Sequence, residues 1–319
     1  MADLRYTGAA TAVAQVDTFT PANVEVDDIF TLTITGWDGT SHAINFTATA
    51  ATVANVTAGI AAAWNASTHP LCTPITATDN TTTVSLAADT AGEAFSVAST
   101  ETDGGGTDDQ TFTRAATTAS AGPKHWDDVN NWDTGALPGG GAGENVYIDN
   151  DDTDILYGLN QSGIANTLTS LNIGKSFTGK IGYNGAAGHS GTYLQIKATA
   201  VNIGEHRGFG SPTGSGRIMI NTGSTASTIT IDASASQGAD TSKPSIRILA
   251  NSASSSLDAK SGNVGVSFES GESTTIGTVK CNGADVFIGS GATVTTLQKK
   301  ESEGRLFCES VSVTTLTIN

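Results

Sequence analysis

The chain has 319 residues, enough for two or three domains, with a formal net charge of −16 and a pI near 4.4. Only 15 Lys and Arg stand against 31 Asp and Glu, without a basic cluster, so neither nucleic acid nor an anionic membrane is an expected partner. Charged residues make up 14% and aromatic residues 6%, the composition of a β-rich protein full of small residues rather than of a helical enzyme.

The opening "MADLRYTGAA" has no basic n-region and no apolar h-region, so no signal peptide is expected. No apolar run reaches the roughly 18–20 residues of a membrane span. Cys72, Cys281 and Cys308 are scattered and odd in number, with no CxxC, and predict neither a disulfide framework nor a zinc site. Cys281 and Cys308 lie in strand-like runs and are expected as small buried apolar residues.

Residues 1–121 read as an α+β anchoring module. In "DIFTLTITG", Phe30, Leu32 and Ile34 alternate with threonines, a half-buried strand. "HAINFTATA" alternates likewise after the turn "GWDGTS". Val53, Val56, Ile60 and Trp64 recur at helical spacing, with Thr52 as N-cap. "TPITATDNTTTVSLAA", turning at Asp79-Asn80, then "AFSVAST" and "QTFTRAATTAS" supply further strands. The order β-β-α-β-β-β predicts a small sandwich with one helix on a sheet. His42 and His69 are isolated in sequence and read as packing or surface residues. Trp37 lies in a turn, where it could make a contact.

Residues 122–150 form a linker and a candidate cap. Trp126 and Trp132 stand in "HWDDVNNWDTGALPGGGAGENVYIDN", followed by a bend at Pro138 and Gly139–Gly141. Two tryptophans joined by a short polar turn are suited to cover the apolar end of a repetitive β array, with "ENVYIDN" as its first strand. Asp149, Asp151, Asp152 and Asp154 come next. Hard cations such as Ca²⁺ want several oxygen ligands, but the EF-hand pattern is missing, so a solvated acidic corner is expected and no metal or other cofactor is assigned.

Residues 151–319 repeat. Ile276, Val294 and Val313 align at a period of about 19 residues, and Ser270, Ser290 and Ser310 at a period of about 20 residues. "GRIMINTGSTASTITIDAS" has the same strand–turn–strand form. Short strands with Gly/Ser/Asn corners at this period predict a β-solenoid, or β-helix-like array. The overall expectation is a mainly β protein: an α+β sandwich followed by a solenoid. Glu269 and Glu309 precede the aligned serines, where stacking could pair two carboxylates as glycosidases require, yet they read as corner residues, and no catalytic residue is assigned. The run "VTTLTIN" has no polar cap or helix after it, so Leu316 and Ile318 are expected to be covered by another chain or by the first module folding back.

The N-terminal run "VAQVDTFTPANVEVDDIFTLTITG…AFSVAST" resembles a β/α module of tailed-phage and prophage structural proteins. "WDDVNNWDTGALPGGGAGENVYIDN" resembles the "NWxxGxxPxxGDxVxID" lead-in to repetitive β-structure in phage-borne and bacterial surface proteins, departing from it at Glu144-Asn145. "LTSLNIGKSFTGKIG" is similar to the next stretch in that group. The resemblance implies a virion protein assembled in the host cytoplasm, of capsid decoration, head-fibre or tail-appendage type. It implies as partners the major capsid protein or other virion proteins, and it transfers no catalytic residue. A homotrimer is expected because capsid lattices offer three-fold positions. A tail fibre or tailspike that binds or cleaves host-surface polysaccharide is the alternative.

Overall fold

The computed structural model describes residues 2–106, 109–149, 152–183, 191–204, 217–233, 244–300 and 304–318. The protein is mainly β and divides into two compact units, residues 11–122 and residues 1–10 with 123–319. The boundary expected at 1–121 is therefore corrected at its start: residues 1–10 do not belong to the N-terminal module. Asp3–Arg5 pairs in parallel with Asn145–Ile148, so residues 11–122 are an insertion between the first parallel strand and the second.

Among the described residues, the inserted unit has two antiparallel sheets. One orders Ile75–Asp79, Val84–Ala88, Val16–Ala22 and Thr111–Thr118; the other orders Ser41–Thr47, Ile29–Thr35 and Ser96–Thr102. Helix α1 spans Val53–Ala66, and Thr52 caps it by accepting from the Asn55 amide. Val56, Ile60 and Trp64 face the core, and the Trp64 indole donates to the Ile75 carbonyl at 2.9 Å. Gly59 sits mid-helix because a Cβ there would lie 2.1 Å from the Phe46 ring. The strand Val16–Ala22 was not among the expected elements. Its Pro21 argues against a central strand, yet pairing with Val84–Ala88 stops at Phe19, so on that side no ladder bond is asked of Pro21, which lacks an amide hydrogen.

Among the described residues, the second unit holds two parallel sheets. Nine strands form one: Asp3–Arg5, Asn145–Ile148, Leu168–Ile173, Ala198–Ile203, Thr228–Asp232, Asn251–Ser261, Thr274–Cys281, Ala292–Lys299 and Ser312–Ile318, in that order. Seven form the other: Asn160–Gln161, Leu194–Ile196, Ile218–Asn221, Ile246–Leu249, Asn263–Val266, Asp285–Ile288 and Leu306–Cys308. From Leu168 onward the chain alternates between them, and each strand pairs in parallel with the one before it in its own sheet. At about 4.8 Å per rung, nine strands stack over roughly 38 Å.

Register makes the interior continuous. Leu4, Val146, Leu171, Val201, Ile229, Leu257, Val279, Leu297 and Leu316 form one ladder, and all but Leu316 are buried. Ile276 pairs with Val294 and Val294 with Val313, as the repeat predicted. The serines do not all obey the same rule. Val266 pairs with Ile288 and Ile288 with Cys308. Ser290 and Ser310 keep the same offset from this ladder, while Ser270 lies farther beyond Val266 and falls out of line. Earlier rungs are longer still: Leu168 pairs with Ala198, and Ile218 with Ile246. The period expected from the sequence thus describes only the later rungs. On the outer face, Asn202 donates to the Asn172 side chain at 2.8 Å, tying neighbouring rungs together.

Candidate functional site

Trp126 and Trp132 are both buried in the core of the parallel-sheet unit, together with Leu4, Tyr6 and Val146. Their rings meet edge to face with centroids 4.8 Å apart, and the Trp132 indole donates to the Trp126 carbonyl at 2.9 Å. Tyr6 packs edge-on against Trp132, and its hydroxyl donates to the Pro123 carbonyl. Between the tryptophans, Asp128 caps a short 3-10 turn, Val129–Asn131. The buried Asn131 side chain accepts from the Ala10 amide and donates to the His125 carbonyl. Pro138 is buried at the bend. The Glu144 carboxylate accepts from the Gly139 and Gly141 amides at 2.6 and 2.7 Å. The residue at which the chain departs from the Gly-Asp pattern therefore ties down the glycine turn.

Among the described residues, the carboxylates of the acidic corner do not converge. Asp149 pairs with Arg5 at 2.9 Å, while Asp154 accepts from the Lys180 amide at 2.8 Å. Asp152 is exposed, and Asp151 lies outside the described residues. Glu269 and Glu309 do not pair either. Register sets Glu309, after Cys308, level with Ser267. Glu269 instead lies 3.0 Å from the guanidinium of Arg247, which is 0% exposed and also sits against the Phe268 ring. Glu272, buried, accepts from Tyr193 at 2.5 Å and from the Glu269 amide at 2.9 Å. Burial first, then the Glu272 charge, pushes the Tyr193 phenol far up, so it stays a donor. Here sequence reasoning missed a network: Arg247 stands in "SIRIL", which reads as an ordinary apolar strand. Arg247, Tyr193 and Glu272 of this set are buried, and Glu269, whose side chain is 14% exposed, is its most open member. The set's visible effect is to pin the turn Ser267–Glu272 over the outer face of the seven-stranded sheet.

Among the described residues, two open surfaces bear on function. Leu316 and Ile318 are 58% and 60% exposed; Leu316 continues the column that ends in buried Leu297, whereas Ile318 pairs with Lys299, which in turn pairs with buried Cys281. Among the described residues nothing pairs with the outer edge of Ser312–Ile318. Cys308 corrects an expectation for the same reason. It continues the inward column Ile248–Val266–Ile288, but on the last rung it is exposed, whereas Cys281 is buried. The second surface is aromatic. Phe287 and Phe307 stack on consecutive rungs with centroids 4.5 Å apart, Phe268 meets Phe287 edge-on, and Arg305 lies over Phe307. Phe307 is 41% exposed. A search for tyrosine spacing overlooks this row, because its phenylalanines are two outward positions brought together by register and one turn residue.

No helix among the described residues is long and apolar enough to cross a membrane. No family model matches the chain, and neither the curated proteins nor the solved structures give a match.

Proposed function

We propose that this is a non-enzymatic structural protein of a tailed-phage particle, a capsid decoration (cement) or head-fibre protein whose residues 123–318 form a β-solenoid. The observation that carries the reading is the alternation of strands between two parallel sheets around one apolar interior. Such a stack derives its rigidity from repeated pairing and column burial, not from any single reactive group. Trp126, Trp132 and Pro138 cap its first rungs. Leu316 and Ile318 provide its assembly contact, with the ladder continued across a subunit boundary. Contacts of this kind, repeated around a capsid, would clamp neighbouring major capsid subunits through many modest interactions. The protein would work on the virion after assembly in the host cytoplasm, as a homotrimer on three-fold positions. Quantitative mass spectrometry of particles purified from cells that carry this gene tests the reading. A fixed ratio to the major capsid protein is expected; absence from particles contradicts it.

The aromatic row favours a second reading, a tail fibre or tailspike-like appendage that binds host-surface polysaccharide. Phenylalanine faces offer a platform for the C–H face of a sugar ring, and the Arg305–Asp285 pair beside Phe307 offers polar contacts. Phe307→Ala should abolish binding to host polysaccharide under this reading and leave particle association unchanged under the first.

A further inference from the structure

Three side chains far apart in sequence meet at the rim of the inserted unit's core. His42 lies on Ser41–Thr47, the edge strand of the three-stranded sheet, on the same face as Ile44 and Phe46. His69 and Cys72 lie in the turn after helix α1. That turn is closed by bonds from the Cys72 and Thr73 amides to the His69 carbonyl at 2.9 and 3.1 Å. The imidazoles of His42 and His69 lie parallel with centroids 4.0 Å apart. One ligand atom from each of His42, His69 and Cys72 falls within 4.8 Å of the others. Both histidines are half-buried, and Cys72 is buried.

We infer that His42, His69 and Cys72 form a binding site for a divalent transition ion of the zinc class. Two imidazoles and a thiolate are a borderline-to-soft donor set, suited to Zn²⁺ and its first-row neighbours and unsuited to Ca²⁺ or Mg²⁺, which take oxygen. Three protein ligands leave a fourth tetrahedral position, which a water would fill. Zn–N and Zn–S bonds of about 2.0–2.3 Å would draw the three atoms closer by about 1 Å and tilt the stacked rings toward the ion. His69 can offer either nitrogen. Its Nδ1 now accepts a long 3.3 Å contact from the Leu71 amide, which an ion could replace. Zinc takes the thiolate, so binding would displace the Cys72 proton. The bound ion would tie an exposed sheet edge to the end of the helix. Ligands scattered from His42 to Cys72, without a CxxC, give no sequence motif, which is why the histidines read as isolated.

The test uses full-length protein without a histidine tag, carrying Cys308→Ser to remove the exposed thiol, titrated with Co²⁺ and Zn²⁺ without oxygen. The expected result is one ion per chain. Co²⁺ should give a thiolate-to-metal charge-transfer band that Cys72→Ser abolishes. His42→Asn and His69→Asn should each weaken Zn²⁺ binding at least tenfold, and Zn²⁺ should raise the Tm of the parent but not of these variants. His42→Asn, at the rim, keeps the test valid if Cys72→Ser fails to fold. No stoichiometric binding, or binding unchanged by the histidine variants, overturns the proposal.

Discussion

At the scale of single residues, the same side chain carries different weight on different rungs. Leu171 is buried between Val146 and Val201, while Leu316 holds the same ladder position in the open. Leu171→Ala should cost about 2–5 kcal/mol through lost burial and an unfilled cavity. Leu316→Ala should change the stability of the dilute monomer by less than about 0.5 kcal/mol. Urea denaturation of both variants checks this, and equal losses would contradict the ladder. A second residue-scale expectation concerns acid. His125 Nδ1 lies 3.6 Å from Asp127, and hydrogen bonding to His125 holds the Asp127 carboxyl below its ordinary range against the opposing effect of burial. A carboxyl depressed in the folded state adds stability above its unfolded pKa of about 3.9 and loses it as pH falls through the folded value. The stability gap between the parent and Asp127→Asn should therefore be present at neutral pH and vanish in strong acid. A gap that stays constant from neutral pH into strong acid would refute the assignment.

At the scale of elements, alternation and periodicity were legible and insertion was not. The helix with its Thr52 cap, the hairpin turning after Asp79 and the Ile276–Val294–Val313 register all arise from local pattern. Asp3–Arg5 could not be placed that way. So short a strand has no period, and its partner Asn145–Ile148 lies beyond the whole inserted unit. The Arg247–Glu269 pair was hidden for a related reason: a charge inside an apolar strand announces burial only when its partner is known. The bonds between Val13 and Ala121 bring the inserted unit's two ends together, so the unit is excisable. A variant with residues 11–122 replaced by a short glycine linker should fold with a cooperative transition. Residues 123–319 alone should be less stable, since they lack Leu4 and Tyr6 from the core. Thermal unfolding monitored by circular dichroism compares the two; equal Tm values would mean that the first strand contributes nothing. Limited proteolysis near 121–124 should likewise release a fragment less stable than the intact chain.

At the scale of the whole molecule, the proposed assembly rests on the outermost described rung. Two sheets bury one apolar interior rung after rung, and then Leu306, Cys308, Leu316 and Ile318 bring its columns to the surface. Exposed ladder positions beside an unpaired strand edge invite pairing with another chain, and repeated identical contacts settle into closed symmetry. A net charge of −16 disfavours indiscriminate association, so under the proposed reading the apolar rung rather than the bulk surface would select the partner. Light scattering coupled to size exclusion, on the parent and on the Leu316→Glu, Ile318→Glu double variant, tests this most directly. The expected result is a trimer of about 97 kDa from the 32.2 kDa chain, and a monomer for the double variant with unchanged circular dichroism. A parent that remains a 32.2 kDa monomer at high concentration and on the particle, or a double variant that still forms the trimer, would contradict assembly through this rung.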